Sequence, residues 1–334
     1  MDLRTHYLAL DLDSPVIAGA SPLARDLDVC KQLEDHGASA IVLHSLFEEQ
    51  ITGEQMALHH HTTLFENAHA EALSYFPEPQ QYALRPDAYL EHIRALKESL
   101  SIPVIASLNG VTEGGWTHYA ALMAEAGADA LELNVYYVAS DPDEPPEKVE
   151  QRYVEVLRSV KAEVSLPIAM KLSPFFSAPV YTARRLDAAG AAGLVLFNRF
   201  YQPDIDIDNL AVKPMVRLSD SDALLLRVRW LAACFAQVGC SLAASGGVHT
   251  GRDAIKALMA GAHAVQMTSA VLKRGPAAIR SVRQELSAWM NDNEYSSVKQ
   301  MIGSMSLARC PEPAAYERAN YVKGLQSWEP TGVW

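Results

Sequence analysis

Residues 242–270, LAASGGVHTGRDAIKALMAGAHAVQMTSA, contain one complete β-α-β unit in readable form. Leu242–Ser245 is a short, nearly continuous apolar run, the pattern of a parallel strand covered on both faces. Gly246 and Gly247 turn the chain, Arg252–Ala260 repeats apolar residues at helical spacing, and Gly261 ends that helix. Ala264–Thr268 is a second strand of the same kind, closing on Thr268-Ser269. Glycines after one strand and hydroxyl residues after the next form a common phosphate site in α/β barrels, with backbone N–H groups holding the dianion. The same residues also fit an ordinary glycine turn followed by a Ser/Thr helix cap.

The unit repeats outward along the chain. Strands are expected at Val16–Ala20, Ala40–His44, Val104–Leu108, Ala130–Asn134, Ile168–Leu172 and Leu194–Asn198. Amphipathic stretches lie between them at Trp116–Ala126, Pro146–Val164 and Val180–Ala189, and Gly37, Gly127, Gly190 and Gly239 are further stop signals. Eight alternations over roughly 250 residues predict an α/β fold of the (β/α)8 TIM-barrel type. A doubly wound sheet is the rival, but no Gly-x-Gly-x-x-Gly follows the first strand.

Two insertions, about 45–101 after strand two and 199–221 after strand six, leave from the active face and are expected to form a lid or substrate wall. The residues before Pro15 are expected to form a hairpin closing the barrel bottom. A helical extension, 294–334, carries pieces at Val298–Met305 and Pro313–Leu325. The whole chain, 1–334, is read as a single domain.

The chain has 334 residues, 49% hydrophobic and 20% charged, enough to bury a large core. Its 28 Lys and Arg against 40 Asp and Glu give −12, which argues against nucleic acid or an anionic membrane as partner. Four cysteines without a C-x-x-C exclude a zinc knuckle or ferredoxin-type cluster in this chain, and no metal site is expected. His59-His60-His61 lack the spacing of a metal site and read as a solvated loop. The uncharged stretch Trp230–Gly251 is long enough to span a bilayer but is broken by glycines and polar residues. A cytoplasmic protein with reduced thiols is expected.

Chemistry in a barrel sits at the strand C-termini. These offer Gly19, Ala20 and Ser21; His44 and Ser45; Ser107 and Asn109; Glu132 and Asn134; Lys171 and Ser173; and Asn198 and Arg199. Lys171 is a lone charge in an apolar strand, so it must meet an anion or an electron-rich ring. Three readings stand: a structural pair with Glu132, a cation beside a cofactor, or a Schiff-base nucleophile. Tyr136-Tyr137, at the exit of strand four, are either core aromatics or ligand contacts. Arg199 is either a carboxylate clamp or a surface ion-pair partner.

Taken together these segments resemble the dihydroorotate dehydrogenase family of FMN-containing barrels over about residues 1–290. PVIAGAS (15–21), ELN (132–134), PIAMKL (167–172), LFN (196–198), ASGGV (244–248) with TGRD (250–253), and QMTSA (266–270) carry the likeness. VLHSLFEEQ (42–50), SLNG (107–110) with GGW (114–116), LNVYY (133–137), KLSPFF (171–176), LFNRFYQPD (196–204) and ERANY (317–321) are similar to a dehydrogenase-like branch.

The resemblance implies that Gly19, Ala20, Ser21 and Ser45 contact FMN, with Gly246, Gly247, Thr268 and Ser269 on its phosphate. It places Asn134 and Asn198 on flavin or substrate and Lys171 at the flavin N1–C2=O edge; Asn109 and Arg199 are read from their positions as substrate contacts. The family's strand-four loop reads Asn-x-Ser-Cys-Pro-Asn; here Asn134-Val-Tyr-Tyr-Val-Ala139 sets Tyr137 at the catalytic cysteine position. The family's early lysine falls on or near His44.

The expected chemistry is therefore hydride transfer between a CH–CH bond and flavin N5, with Tyr137, Tyr136 or His44 moving the proton and dihydroorotate as one candidate substrate. The expected setting is pyrimidine biosynthesis, with a small-molecule substrate, a soluble electron acceptor or redox partner protein, and a homodimer. The alternatives are a flavin-free lyase or aldolase using Lys171, and a flavin-binding redox subunit without turnover of its own.

Overall fold

The structure, a computed structural model, describes residues 1–48, 86–110, 113–199, 204–213 and 216–327. His59–His61, Phe200 and much of the first insertion fall outside these.

The chain opens with a hairpin, β1 (Thr5–Tyr7) and β2 (Leu10–Leu12), in antiparallel register with Tyr7 opposite Leu10. Its two-residue turn puts Leu8 and Ala9 in the left-handed region (φ +53° and +56°), as a tight hairpin turn demands. The barrel strands follow: β3 (Val16–Ala18), β4 (Ile41–Val42), a short continuation β5 (Leu46–Phe47), β6 (Val104–Asn109), β7 (Ala130–Asn134), β8 (Ile168–Leu172) and β9 (Gly193–Leu196). Beyond the exposed hairpin β10 (Asp204–Asp206) and β11 (Ala211–Lys213) come β12 (Ser241–Ser245) and β13 (Ala264–Met267). All barrel pairings are parallel, and closure comes where β13 joins β3 (Val265 opposite Val16) and β4 joins β6 (Ile41 opposite Val104). The expected (β/α)8 barrel is the fold.

Period-two alternation divides the strands cleanly. Val16, Ala18, Leu131, Leu133, Met170 and Leu172 face the helices, whereas Ile17, Ala40, Val42, Ile105, Ala130, Ala169, Val195, Ala243 and Ala264 face inward. So many inward alanines cannot fill a barrel. The hairpin corrects this by inserting Tyr7, Leu8 and Leu12, all essentially unexposed, into the same cluster. Thr5 Oγ1 donates to the His263 carbonyl and Leu8 N donates to Ser241 Oγ, fixing the plug from below. The barrel is thus packed at the bottom and polar only in its upper layers.

Three expectations need adjustment. The insertion at 45–101 contains the second barrel helix, Pro86–Ser99, whose Tyr89, Ile93 and Leu96 are buried against the strands. Strand two does not run through to His44: it breaks after Val42 and resumes at Leu46, because Leu43 still bonds Ile105 while His44 and Ser45 turn out of the ladder. After the helix Leu224–Cys234 the left-handed residue is Ala236 (φ +63°), not Gly239. The extension lays Val298 and Met301 against Ile255, Leu258, Leu286 and Met290 of its own barrel helices. Among the described residues, no helix is long and apolar enough to cross a membrane.

Candidate active site

Above the apolar plug the inward positions turn polar. Lys171 on β8 donates to Glu132 Oε1 on β7 at 2.9 Å and to Gln266 Oε1 on β13 at 3.3 Å. Gln266 Nε2 in turn donates to Glu132 Oε2. Neither Glu132 nor Gln266 is exposed, and Lys171 is buried with them. Burial, and then the charge of Glu132, raise the Tyr7 phenol well above its ordinary pKa, so the plug meets this layer as a neutral group. An ion pair at this depth is tolerable only because Gln266 supplies both a donor and an acceptor to it. Gln266 had a legible signal, being the lone polar residue of an apolar strand at the same inward parity as Lys171.

Asn134, two residues beyond Glu132 on β7, lies opposite Lys171 in the ladder. Its Nδ2 donates to Ser45 Oγ at 3.3 Å, and Ser45 Oγ shares a hydrogen with Ser107 Oγ at 2.8 Å. Asn134 Oδ1 is buried with no partner among the described residues. A buried amide oxygen without a donor costs on the order of 1–3 kcal/mol, so this atom could accept an N–H from a bound ligand. Across the mouth, a side chain at Gly19 would sit 2.4 Å from Thr268 Oγ1, so only a bare backbone fits there. Asn109 is buried at the end of β6, Asn198 is half-buried, and Arg199 is exposed. Ser21 is buried at the start of the turn Pro22–Arg25, beside half-buried Ala20.

His44 is buried, its ring edge-on to Tyr89 at 5.1 Å, and its Nδ1 has no partner among the described residues. Desolvation, followed by the charges of Arg25 and His92, depresses its pKa to about 4. His44 is therefore neutral near pH 7 and a poor base, which leaves the neutral-contact reading. Because the folded chain resists protonation down to about 4 while the unfolded chain binds a proton near 6.5, stability falls as pH drops through that window. The share is at most about 3 kcal/mol. His44→Leu is expected to flatten that acid limb in urea titrations at pH 7 and pH 5. The remaining slope belongs to His249 and His263, whose pKa values burial also lowers. An unchanged slope would show His44 to be solvated.

The strand-seven and strand-eight loops differ from expectation in one respect. Gly247 N donates to Ser219 Oγ at 3.2 Å, and Ser219 N donates to Ser269 Oγ at 3.1 Å. Lys273 Nζ bonds the Ser219 carbonyl at 2.9 Å. The Gly247 amide is thus satisfied by the second insertion and is not offered to a phosphate, whereas the Ser269 hydroxyl keeps its own proton to donate. A side chain at Gly247 would lie 2.3 Å from Leu224 N, so this glycine serves close packing. What remains for an anion is the Gly246 and Thr268–Ser269 side of the cradle. Sequence reasoning missed Ser219, which lies 28 residues before Gly247 and 50 before Ser269.

Tyr137 also departs from its expected role. Its hydroxyl donates to Glu144, and Arg152, on the helix Pro146–Glu163, lies 3.7 Å above its ring while bonding the same carboxylate. The bond to Glu144 raises the phenol pKa. Tyr137 is held in a loop-fixing cluster, whereas Tyr136, just past the end of β7 at Asn134, is exposed. Val135 between them is buried among the outward-facing residues, its carbonyl accepting from Tyr153.

A closed parallel barrel with its polar and charged side chains gathered at the strand C-termini defines a barrel enzyme. The family model described as dihydroorotate dehydrogenase matches residues 85–290. The catalytic subunit of dihydroorotate dehydrogenase B (NAD(+)) from Thermoplasma acidophilum is 27% identical, with 90% of this chain and 98% of the relative covered. The same-named subunit from Pyrococcus abyssi is 27% identical over the same shares. The NAD-dependent dihydropyrimidine dehydrogenase subunit PreA of Escherichia coli is 26% identical, over 90% of this chain and 76% of that protein. The chain belongs to the dihydroorotate dehydrogenase family and is an oxidoreductase.

Proposed function

We propose that the protein is an FMN-dependent oxidoreductase that interconverts a CH–CH bond and a C=C bond in a small cyclic amide of the pyrimidine type. The observation that carries this reading is the unpaired, buried Asn134 Oδ1 on the residue opposite the buried Lys171 ammonium in the ladder. These groups fit a flat ring with N–H donors and an electron-rich edge. Bound there, FMN supplies or accepts a hydride.

Lys171 holds positive charge where electron density gathers, with Glu132 and Gln266 fixing its position. Asn134 orients the ring or the substrate by its free carbonyl, and Ser45 and Ser107 fix Asn134. Ser21, Asn109 and Asn198 line the mouth, with Arg199 at its rim as a carboxylate clamp. Tyr136 moves the proton that accompanies the hydride, its phenol O–H suiting protonation of a carbon during alkene reduction. This favours the reductive direction and a neutral dihydropyrimidine as well as dihydroorotate among substrates. Catabolic use is then as consistent as biosynthesis, and the electron partner is a nicotinamide or a partner subunit of the kind the relatives' names imply.

The Schiff-base alternative fares worse, because the Lys171 amine is committed to a buried ion pair whereas a nucleophile needs an available lone pair. The test is the visible spectrum of the purified protein, followed by anaerobic addition of dihydroorotate or dihydrouracil. Flavin absorbance that bleaches with either compound is expected. A colourless protein that takes up no FMN overturns the reading.

A further inference from the structure

Arg227, on the helix Leu224–Cys234, is a charged group for which the catalytic reading has no use. Its Nε donates to the Ser245 carbonyl at 3.0 Å, and its Nη1 donates to the Ala223 carbonyl at 2.8 Å. These two bonds lock the guanidinium at the C-terminal end of β12, about 6.0 Å from the Phe197 ring. Among the described residues, no carboxylate forms an ion pair with it. Nη2, which neither carbonyl engages, would lie 3.2 Å from a side chain at position 246, where glycine (φ +91°) leaves the backbone bare.

Burial pulls the Arg227 guanidinium below its ordinary pKa, and the charge of Arg199 adds to the effect. Arg199 thus adds like charge to the half-desolvated Arg227, which an anion would relieve. With the Gly247 amide taken by Ser219 and Lys273 Nζ spent on the Ser219 carbonyl, the Gly246 side of the cradle offers a dianion N–H and O–H donors beside the Arg227 guanidinium.

We infer that Arg227 is the counter-charge of the cofactor phosphate and makes the site select a flavin carrying a phosphate monoester over riboflavin. This deepens the flavin reading and rests on it. Arg227 binds the phosphate through Nη2 while Ser245 and Ala223 hold the rest of the fork in place.

The test titrates the full-length, flavin-stripped chain with FMN and with riboflavin, following fluorescence quenching. Wild type is expected to prefer FMN strongly. Arg227→Gln is expected to lose roughly 30-fold or more in FMN affinity, with riboflavin affinity unchanged and the salt dependence of FMN binding reduced. Arg227→Lys, which keeps the charge, is expected to retain most of the preference. Equal losses for both flavins in Arg227→Gln would show a purely structural role through the two carbonyls and overturn the inference. Unchanged FMN affinity would overturn it as well. A wild-type chain that binds neither flavin fails the flavin reading itself, which separates the two cases.

Discussion

Lys171→Met is expected to cut the rate of flavin reduction by substrate roughly 10²–10³-fold, the usual cost of removing one preorganised charge from the reacting centre. The same substitution strips Glu132 of its ammonium partner in a layer without solvent exposure. Removing one member of a buried pair costs about 3–5 kcal/mol, so lost activity alone would not separate chemistry from folding. The double variant Lys171→Met with Glu132→Gln separates them. A neutral amide beside Gln266 needs no cation, so stability by urea titration is expected to recover largely, while the rate remains low. Recovery of both stability and rate would reduce Lys171 to a structural residue. Undiminished rate in the single variant would remove the charge from the mechanism altogether.

The second large effect distinguishes the adjacent tyrosines. Tyr136→Phe is expected to slow reoxidation of reduced flavin by the unsaturated substrate by roughly 10²–10⁴-fold, the contribution of a positioned acid. Tyr137→Phe is expected to cost less than about tenfold in rate, because its hydroxyl already donates to Glu144 and the ring sits under Arg152. Its effect should appear instead as a modest loss of stability, as the Glu144 carboxylate, nearly buried, loses one of its donors. Stopped-flow absorbance on the two holoproteins gives both rates under one set of conditions. The opposite order, with Tyr137→Phe the severe variant, would return the proton-transfer role to the position that the family's cysteine occupies.

The strands, most helices and polar strand ends were legible in the chain because each depends on short-range periodicity. A parallel strand buried on both faces is a continuous apolar run, so a lone Lys171 or a Glu132-x-Asn134 pair stands out within it, and period-two alternation assigns its side. The count of alternations then allowed little besides a barrel. The second helix, Pro86–Ser99, reads as part of an insertion because a long segment separates it from strand two. The break in strand two was invisible for a different reason: whether His44 stays in the ladder depends on β6, some sixty residues away.

Sequence by itself therefore determined the barrel, the face on which its chemistry sits and the residue types gathered there, because these follow from local pattern and strand parity. Tertiary structure alone decided the partners. It brought Gln266 to the Lys171–Glu132 pair, Tyr7 into the bottom of the barrel, Ser219 onto Gly247 and Ser269, Glu144 onto Tyr137, and Arg227 to Gly246. Each contact joins different elements, and its hydrogen-bond geometry exists only once the strands have closed and the helices have packed. The role of a buried polar atom is set by which donor or acceptor it meets there, and no spacing along the chain encodes that meeting.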